Sequence, residues 1–304
     1  MENENLAQST HKIFSEIHKE QAEDKLIHER LVSLLTTEYL EVEENFFLGK
    51  RCLDAGCGSG NALDAMLRQG AECVTGIDFS NTLFGLIHKR LLMFKDKYKL
   101  ETGNLMSLRF DNGQFDFVHC SGVLHHTENA NIGFCELSRV TKTGGYLFVA
   151  INGSGGLVRE ISGLLRKKYK EDSHFKKYID SMDSKRLDEN IDWLSEQMEK
   201  GGDHLLKEEK ALFWAKKLTD KDLLLTIRDQ LQAPTYEEFS EIQIRSWFKK
   251  QGFVDVKRLS RYPQYNNIRR FLSPLYFNYK HELAVLLFGE GVIQMIGKKK
   301  GSFS

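Results

Sequence analysis

Proline is scarce in this chain, with three residues among 304, so long proline-rich linkers are excluded. Cysteine is also thin: five residues, an odd number, with no C-x-x-C pair among Cys52, Cys57, Cys73, Cys120 and Cys135. That pattern argues against a disulfide framework and against a thiolate zinc site, and it suits a reducing compartment. No apolar run reaches the roughly 18–20 residues that a membrane-spanning helix needs. The opening, MENENLAQST, is polar and acidic and lacks the basic-then-apolar pattern of a secretory leader. The expectation is a cytoplasmic chain without a membrane span. Net charge is absent too, with 43 Lys+Arg balanced by 43 Asp+Glu. The balance is uneven, however: from Arg245 onward 12 basic residues face 3 acidic ones. Such a segment suits an anionic substrate or RNA. The plainer reading is a solvated surface ending in Lys298, Lys299 and Lys300.

What is present is a hydrophobic fraction of 41%, enough for a core of about 200 residues with additions. Residues 1–45 carry apolar side chains at helical spacing (Ile13, Ile17; Leu31, Leu34, Leu35), which predicts one or two amphipathic helices. From 50 to 151 strand-like and helix-like segments alternate. RCLDAG, ECVTGID, KLETGNL, FDFVHCS and GYLFVAIN read as strands, and ALDAMLRQG, LFGLIHKRLLMFKDK and ANIGFCELSRV as helices. Short links between alternating elements predict a parallel sheet with helices on both faces. The rhythm breaks at 152–236, which opens on Asn152-Gly153-Ser154-Gly155-Gly156 and continues as charged, helix-period sequence, a helical insertion. It resumes with EIQIRSWFKKQG as a helix, FVDVKRLSRY as a strand and GVIQMIGKK as a last strand. A small aromatic-rich insertion, 263–289, separates those two strands.

The chemistry concentrates in LDAGCGSG, residues 53–60. A strand ends at Asp54, and Gly56, Cys57, Gly58, Ser59 and Gly60 open a helix. Glycines let the chain turn sharply and bring its N–H groups close to a ligand. Taken singly this turn is weak, because dinucleotide-binding enzymes carry a similar one. No Gly-Lys-Ser/Thr comes after it, so it is not a phosphate loop. Asp78 ends the next strand, 24 residues after Asp54, where a carboxylate can accept both hydroxyls of a ribose. Its alternative role is a helix cap beside Ser80 and Asn81.

GNLMSLRF (103–110), FDFVHCSGVLHH (115–126) and ELSRVTKTGGYLFVA (136–150) then come in order. The ordered set resembles the class I S-adenosylmethionine (SAM)-dependent methyltransferases of the ubiquinone- and menaquinone-biosynthesis type. That family runs from a DxGxGxG loop, through an acidic strand end and an adenine-contacting turn, to an LHH segment and an RVLKPGG turn. The likeness covers about 100 residues, 50–151, and KKQGFVDVKRL is similar to the family's last helix-to-strand step. The resemblance implies a Rossmann-like α/β fold: a seven-stranded, mostly parallel sheet with helices on both faces, plus helical insertions forming a lid. It implies SAM as cofactor and transfer of a methyl group to O or N of a small or medium-sized acceptor. The domain reading is 1–45 as helices over the cofactor site, 46–151 and 237–304 as the core, 152–236 as an acceptor-binding lid, and 263–289 as the small insertion.

Carried over position by position, Asp54 and the backbone of Gly56, Cys57 and Gly58, with Gly60 completing the turn, face the methionine part of SAM. Asp78 takes the ribose, Phe79 packs on the adenine, and Asn104 and the Leu105 amide meet its edge. Ser121 lies beside the methionyl group. The family usually has Asp where Asn104 stands, and an amide carbonyl still accepts from the adenine amino group. Of His125 and His126, the first is the candidate base and the second a candidate acceptor contact, because a neutral imidazole takes protons near neutrality. Their alternative is a structural role. No third ligand accompanies them, so no metal site is expected. Arg261, Tyr262 and Tyr265, in RYPQYNNIRRF, are candidate acceptor contacts, with a surface loop as the alternative. Trp193, Phe213 and Trp214 fit a helical core better than a binding site. The competing functions are a tRNA or RNA methyltransferase using the basic C-terminal part, and a SAM-binding module without catalysis.

Overall fold

The computed structural model describes residues 25–182, 230–259 and 280–301, together with isolated positions between 183 and 196. In chain order its elements are α1 (Lys25–Val32), α2 (Thr37–Leu40), β1 (Arg51–Ala55), α3 (Asn61–Arg68), β2 (Cys73–Asp78) and α4 (Phe84–Arg90). After a 3-10 turn at Leu92–Phe94 come β3 (Tyr98–Thr102), β4 (Phe115–Ser121), a second 3-10 turn at Leu124–His126, α5 (Ala130–Val140) and β5 (Thr141–Asn152). The rest are α6 (Leu157–Glu171), α7 (Ser173–Asp180), α8 (Glu241–Lys250), β6 (Phe253–Arg258), α9 (Glu282–Phe288) and β7 (Val292–Lys299).

The strands form a seven-stranded sheet in the order β3-β2-β1-β4-β5-β7-β6. The pairs among β1 to β5 are parallel, and β7 runs antiparallel to both β5 and β6. Adjacent strand residues point to opposite faces, and the core divides accordingly. Leu53, Val118 and Leu147 pack with Phe134 and Leu137 of α5 and Phe248 of α8 on one side. Cys52, Phe117 and Phe148 pack with Val32, Leu40, Phe47 and Met66 on the other. The order reverses between β1 and β4, with β2 on one side and β5 on the other. A crevice at the carboxyl ends of those strands is where such sheets hold ligands.

Local chemistry fixes the boundaries. Ser240 and Gln243 close a capping box at the start of α8, the reciprocal bonding expected of S-x-x-Q. The helix expected over 83–97 is shorter, ending at Arg90 before the 3-10 turn. Leu92 and Met93 are exposed, so nothing buries a further helical face. The bond from the Phe94 N–H to the Leu91 carbonyl, 2.8 Å, tightens the chain toward β3.

The chain divides into two compact units: 1–155 with 234–261 and 289–304, and 156–233 with 262–288. The second contains α6, α7 and α9. Tyr169, Ile179, Met182 and Leu231 form its own apolar cluster. Within it Asp180 accepts hydrogen bonds from the Tyr169 hydroxyl and from the Gln232 amide. No helix among the described residues is long and apolar enough to cross a membrane.

Candidate active site

The glycine loop leaves β1 at the carboxyl edge, where the sheet order reverses. Gly56, Gly58 and Gly60 all have positive φ, a region costly for any residue with a Cβ. The Gly56 and Cys57 N–H groups donate to the Ile77 carbonyl of β2 at 2.7 and 3.1 Å, and Gly60 donates to Cys57. A Cβ at Gly56 would strike Val123 at 2.3 Å, whereas one at Gly58 would meet nothing within 4 Å. The loop is therefore packed at its base and open at its tip. Gly60, in the left-handed region, is the N-cap of α3.

Asp78 closes one side of that opening. One carboxylate oxygen accepts from the Gly58 N–H at 2.8 Å and the other from the Ser80 N–H at 3.0 Å. The half-buried carboxylate caps no helix, since α4 begins after Leu83 without a side-chain cap; it accepts from the turn that follows β2 instead. Each oxygen keeps a second lone pair for a hydroxyl donor. Phe79 beside it is 49% exposed. Asn104 is exposed on the turn after β3, and its Oδ1 accepts from the Met106 N–H at 2.9 Å. Leu105 is buried. Burial pushes the Cys57 thiol well above its ordinary range, and the charges of Asp54 and Asp78 add to this. The thiol is an unreactive wall of the loop.

Asp54 is not open to solvent. It is buried, and its Oδ1 lies 2.8 Å from Nδ1 of His119 on β4. His119 is a residue the motif reading did not single out. Asp54 and His119 are register partners on neighbouring strands, and Ser121, two residues on, shares His119's face at the end of β4. The signal was present in the alternation of FDFVHCS, but it becomes visible only when β1 is set beside β4. A second unread contribution comes from α2. Tyr39 packs edge-on against Phe148, 6.0 Å between centroids, and its hydroxyl bonds the Gln294 side chain of β7. α1 is anchored on α3 by His28, which bonds Asn61 at 2.6 Å and Asp64 at 2.8 Å. Arg68 ties that same Asp64 to Glu29.

His125 is buried, and His126 is half-buried with its Nδ1 3.0 Å from the Thr235 carbonyl. The two rings lie 4.1 Å apart and share Tyr236 as a neighbour at about 6 Å. Since a carbonyl only accepts, Nδ1 of His126 carries the proton there. Arg261, Tyr262 and Tyr265 lie outside the described residues, as do Phe213 and Trp214; Trp193 is described and exposed.

The glycine turn and the carboxylate ending β2 meet at the carboxyl edge of the sheet, where the strand order reverses. The methyltransferase-domain family model matches residues 53–149. These residues are a methyltransferase domain. The ubiquinone biosynthesis O-methyltransferase of Dechloromonas aromatica is 35% identical over 103 residues, 34% of this chain and 44% of that protein. The Bordetella avium protein of the same name is 29% identical over 129 residues, 42% of this chain and 52% of that one. The chain thus spans about half the length of the curated relatives it matches. Among solved structures, the 1,6-didemethyltoxoflavin-N1-methyltransferase of Burkholderia thailandensis superposes with a TM-score of 0.51 at 13% identity. It covers 98% of this chain and 90% of that one. That likeness is one of fold.

The methyltransferase domain's residues fit SAM. The loop tip at Gly58 is open, a carboxylate with spare lone pairs flanks it, and a buried carboxylate, Asp54, sits at its root.

Proposed function

We propose that the protein is a SAM-dependent methyltransferase acting on O or N of a small or medium-sized acceptor, a metabolite, sugar or lipid-linked intermediate. The observation that carries this reading is the Asp78–Gly58 closure at the switch point of the sheet. Asp78 binds the ribose hydroxyls, Phe79 covers the adenine, and Asn104 and the Leu105 amide meet its edge. Gly56, Cys57 and Gly58, with Asp54 and Ser121, hold the methionine part, and Gly60 sets the turn.

SAM, when bound, supplies a methyl group on a sulfonium, a good leaving group for in-line displacement. The chain's own contribution is positioning in a water-poor crevice. The acceptor's proton goes to the His125–His126 pair. Of the two, His126 is the better placed, because a backbone carbonyl fixes its tautomer and it is less buried than His125. The segment 156–233 leaves the core just beyond the carboxyl end of β5, and acceptor recognition is assigned to it.

A small acceptor is favoured over RNA because four cations of the basic C-terminal part have partners within the fold. Arg245 and Arg258 pair with Glu241, Lys257 with Glu41, and Lys299 donates to the Ser138 and Thr141 carbonyls. Five cysteines without a disulfide support a reducing cytoplasm as the compartment.

The test is incubation with methyl-labelled SAM and fractionated metabolites and RNA, together with calorimetry. Label in a small-molecule fraction is the expected result. Asp78→Ala is expected to weaken SAM and S-adenosylhomocysteine by at least about tenfold, roughly 1.4 kcal/mol. Unchanged affinity in a folded variant rejects the cofactor site. Label entering RNA rejects the acceptor class, and tight binding without transfer to any fraction leaves a SAM-binding module.

A further inference from the structure

Asp54 is a carboxylate only 3% exposed, and burying an ionised carboxylate is costly unless it is paired and hydrogen-bonded. Its partner is the His119 imidazole, with Nδ1 2.8 Å from Oδ1. No lysine or arginine among the described residues forms an ion pair with it. The imidazole is itself held: it stacks on Phe148 with centroids 5.1 Å apart and an interplanar angle of 2°. Asp54, His119 and Phe148 are register partners across β1, β4 and β5, so the row is fixed by backbone pairing rather than by a mobile loop. The imidazole N–H satisfies one carboxylate oxygen at the root of the glycine loop, and no other side chain among the described residues forms an ion pair with that carboxylate.

We propose that His119 is a positioning residue. It holds the Asp54 carboxylate turned so that its second oxygen receives the α-ammonium of the cofactor's methionine part. This rests on the reading of the crevice as the SAM site. His119 touches neither the methyl group nor the acceptor, and acts through Asp54 alone. Loss of its N–H should then weaken ligands that carry the amino group and spare those that lack it.

Two ligands separate these cases. S-adenosylhomocysteine carries the ammonium; 5′-methylthioadenosine has the same nucleoside and thioether without the amino-acid carbons. Two variants divide the imidazole's properties: His119→Phe keeps a ring against Phe148 and loses the donor, and His119→Asn keeps a donor and loses the ring. By calorimetry, His119→Phe is expected to bind S-adenosylhomocysteine at least about tenfold more weakly, with 5′-methylthioadenosine within about twofold of wild type. His119→Asn is expected to restore most of the loss. Equal weakening of both ligands, or no weakening of either, overturns the assignment.

If His119→Phe fails to fold, nitrogen-15 histidine spectra of the wild-type protein decide. The Nδ1–H resonance of His119 should shift on adding S-adenosylhomocysteine and stay in place with 5′-methylthioadenosine; an identical response to both overturns the proposal. Wild-type protein that binds neither ligand overturns the cofactor reading itself, and this one with it. Wild-type binding combined with an unaffected His119→Phe overturns only the role of His119.

Discussion

At the scale of single residues, the glycine loop shows that glycines in one motif do different work. Gly56 and Gly58 both adopt positive φ, so alanine at either costs on the order of 1 kcal/mol in backbone conformation alone. Only Gly56 also faces a wall, the Val123 side chain at 2.3 Å from a Cβ. Gly56→Ala is therefore expected to lower the urea midpoint more than Gly58→Ala, and Val123→Ala should relieve part of that excess. The check is a double-mutant cycle; strictly additive losses would mean that Val123 does not limit the site. Asp54, Asp78 and the glycines were legible in the sequence because their spacing along a strand–turn–helix repeat is local. His119 was not, since its meaning depends on which residue of β1 stands opposite it, 65 positions away. The burial of His125 was hidden for the same reason: its neighbour Tyr236 comes from a distant part of the chain.

At the scale of elements, the alternation of strands and helices was readable, α8 included. The ends were less so, because exposure decides where a helix stops. The link from β3 to β4 carries no helix among its residues and is held by side chains of α5 instead. Arg139 donates to the Phe110 and Leu108 carbonyls at 2.7 and 2.8 Å, while Glu136 accepts from the Leu108 N–H at 2.9 Å and pairs with Arg139. The Arg139 hydrogen bond holds the Glu136 carboxyl below its ordinary range, against a smaller opposing effect of burial. A depressed carboxyl stabilises the fold in full above the unfolded carboxyl's titration, near about pH 4.3, and that contribution is lost as pH falls through the folded value. Glu136→Gln is expected to remove on the order of 1 kcal/mol at neutral pH and to flatten the acid side of the stability curve. Denaturant melts of both proteins from pH 7 down to pH 3 measure this. A constant difference between them across that range counts against the linkage.

At the scale of the whole molecule, the break in rhythm after Asn152 was visible in composition, but the role of the inserted segment was not, since lids and packing domains share the same helical periodicity. The chain leaves and rejoins the first unit where three backbones bond one another. Gly153 donates to Gly291, Ser154 to Phe239, and Glu290 to Ser154, all at 2.8–2.9 Å. Gly289 lies so close to Ser154 and Gly155 that a Cβ there would sit 2.3 Å from backbone atoms. Ser154 and Phe239 are thus bonded neighbours, so a short Gly/Ser linker in place of 157–232 has little distance to span. The resulting core is expected to keep SAM affinity within about threefold and to lose at least about a hundredfold in methyl transfer, roughly 2.7 kcal/mol of barrier. Full turnover in that variant would move acceptor recognition out of 157–232.

The placement of β7 has a consequence for how such a chain is made. This strand, Val292–Lys299, lies between β5 and β6 and is the only neighbour of β6 among the described strands. During synthesis from the N-terminus, β5 and β6 are both complete before their shared partner exists. Until then β5 presents an unpaired edge, a template for pairing with other chains, and joining the two requires closure over a long intervening segment. The sheet therefore emerges with a gap in it, and β7, made after both of its neighbours, is the strand that closes the gap. Termination near residue 290 should populate aggregates rather than a smaller active protein.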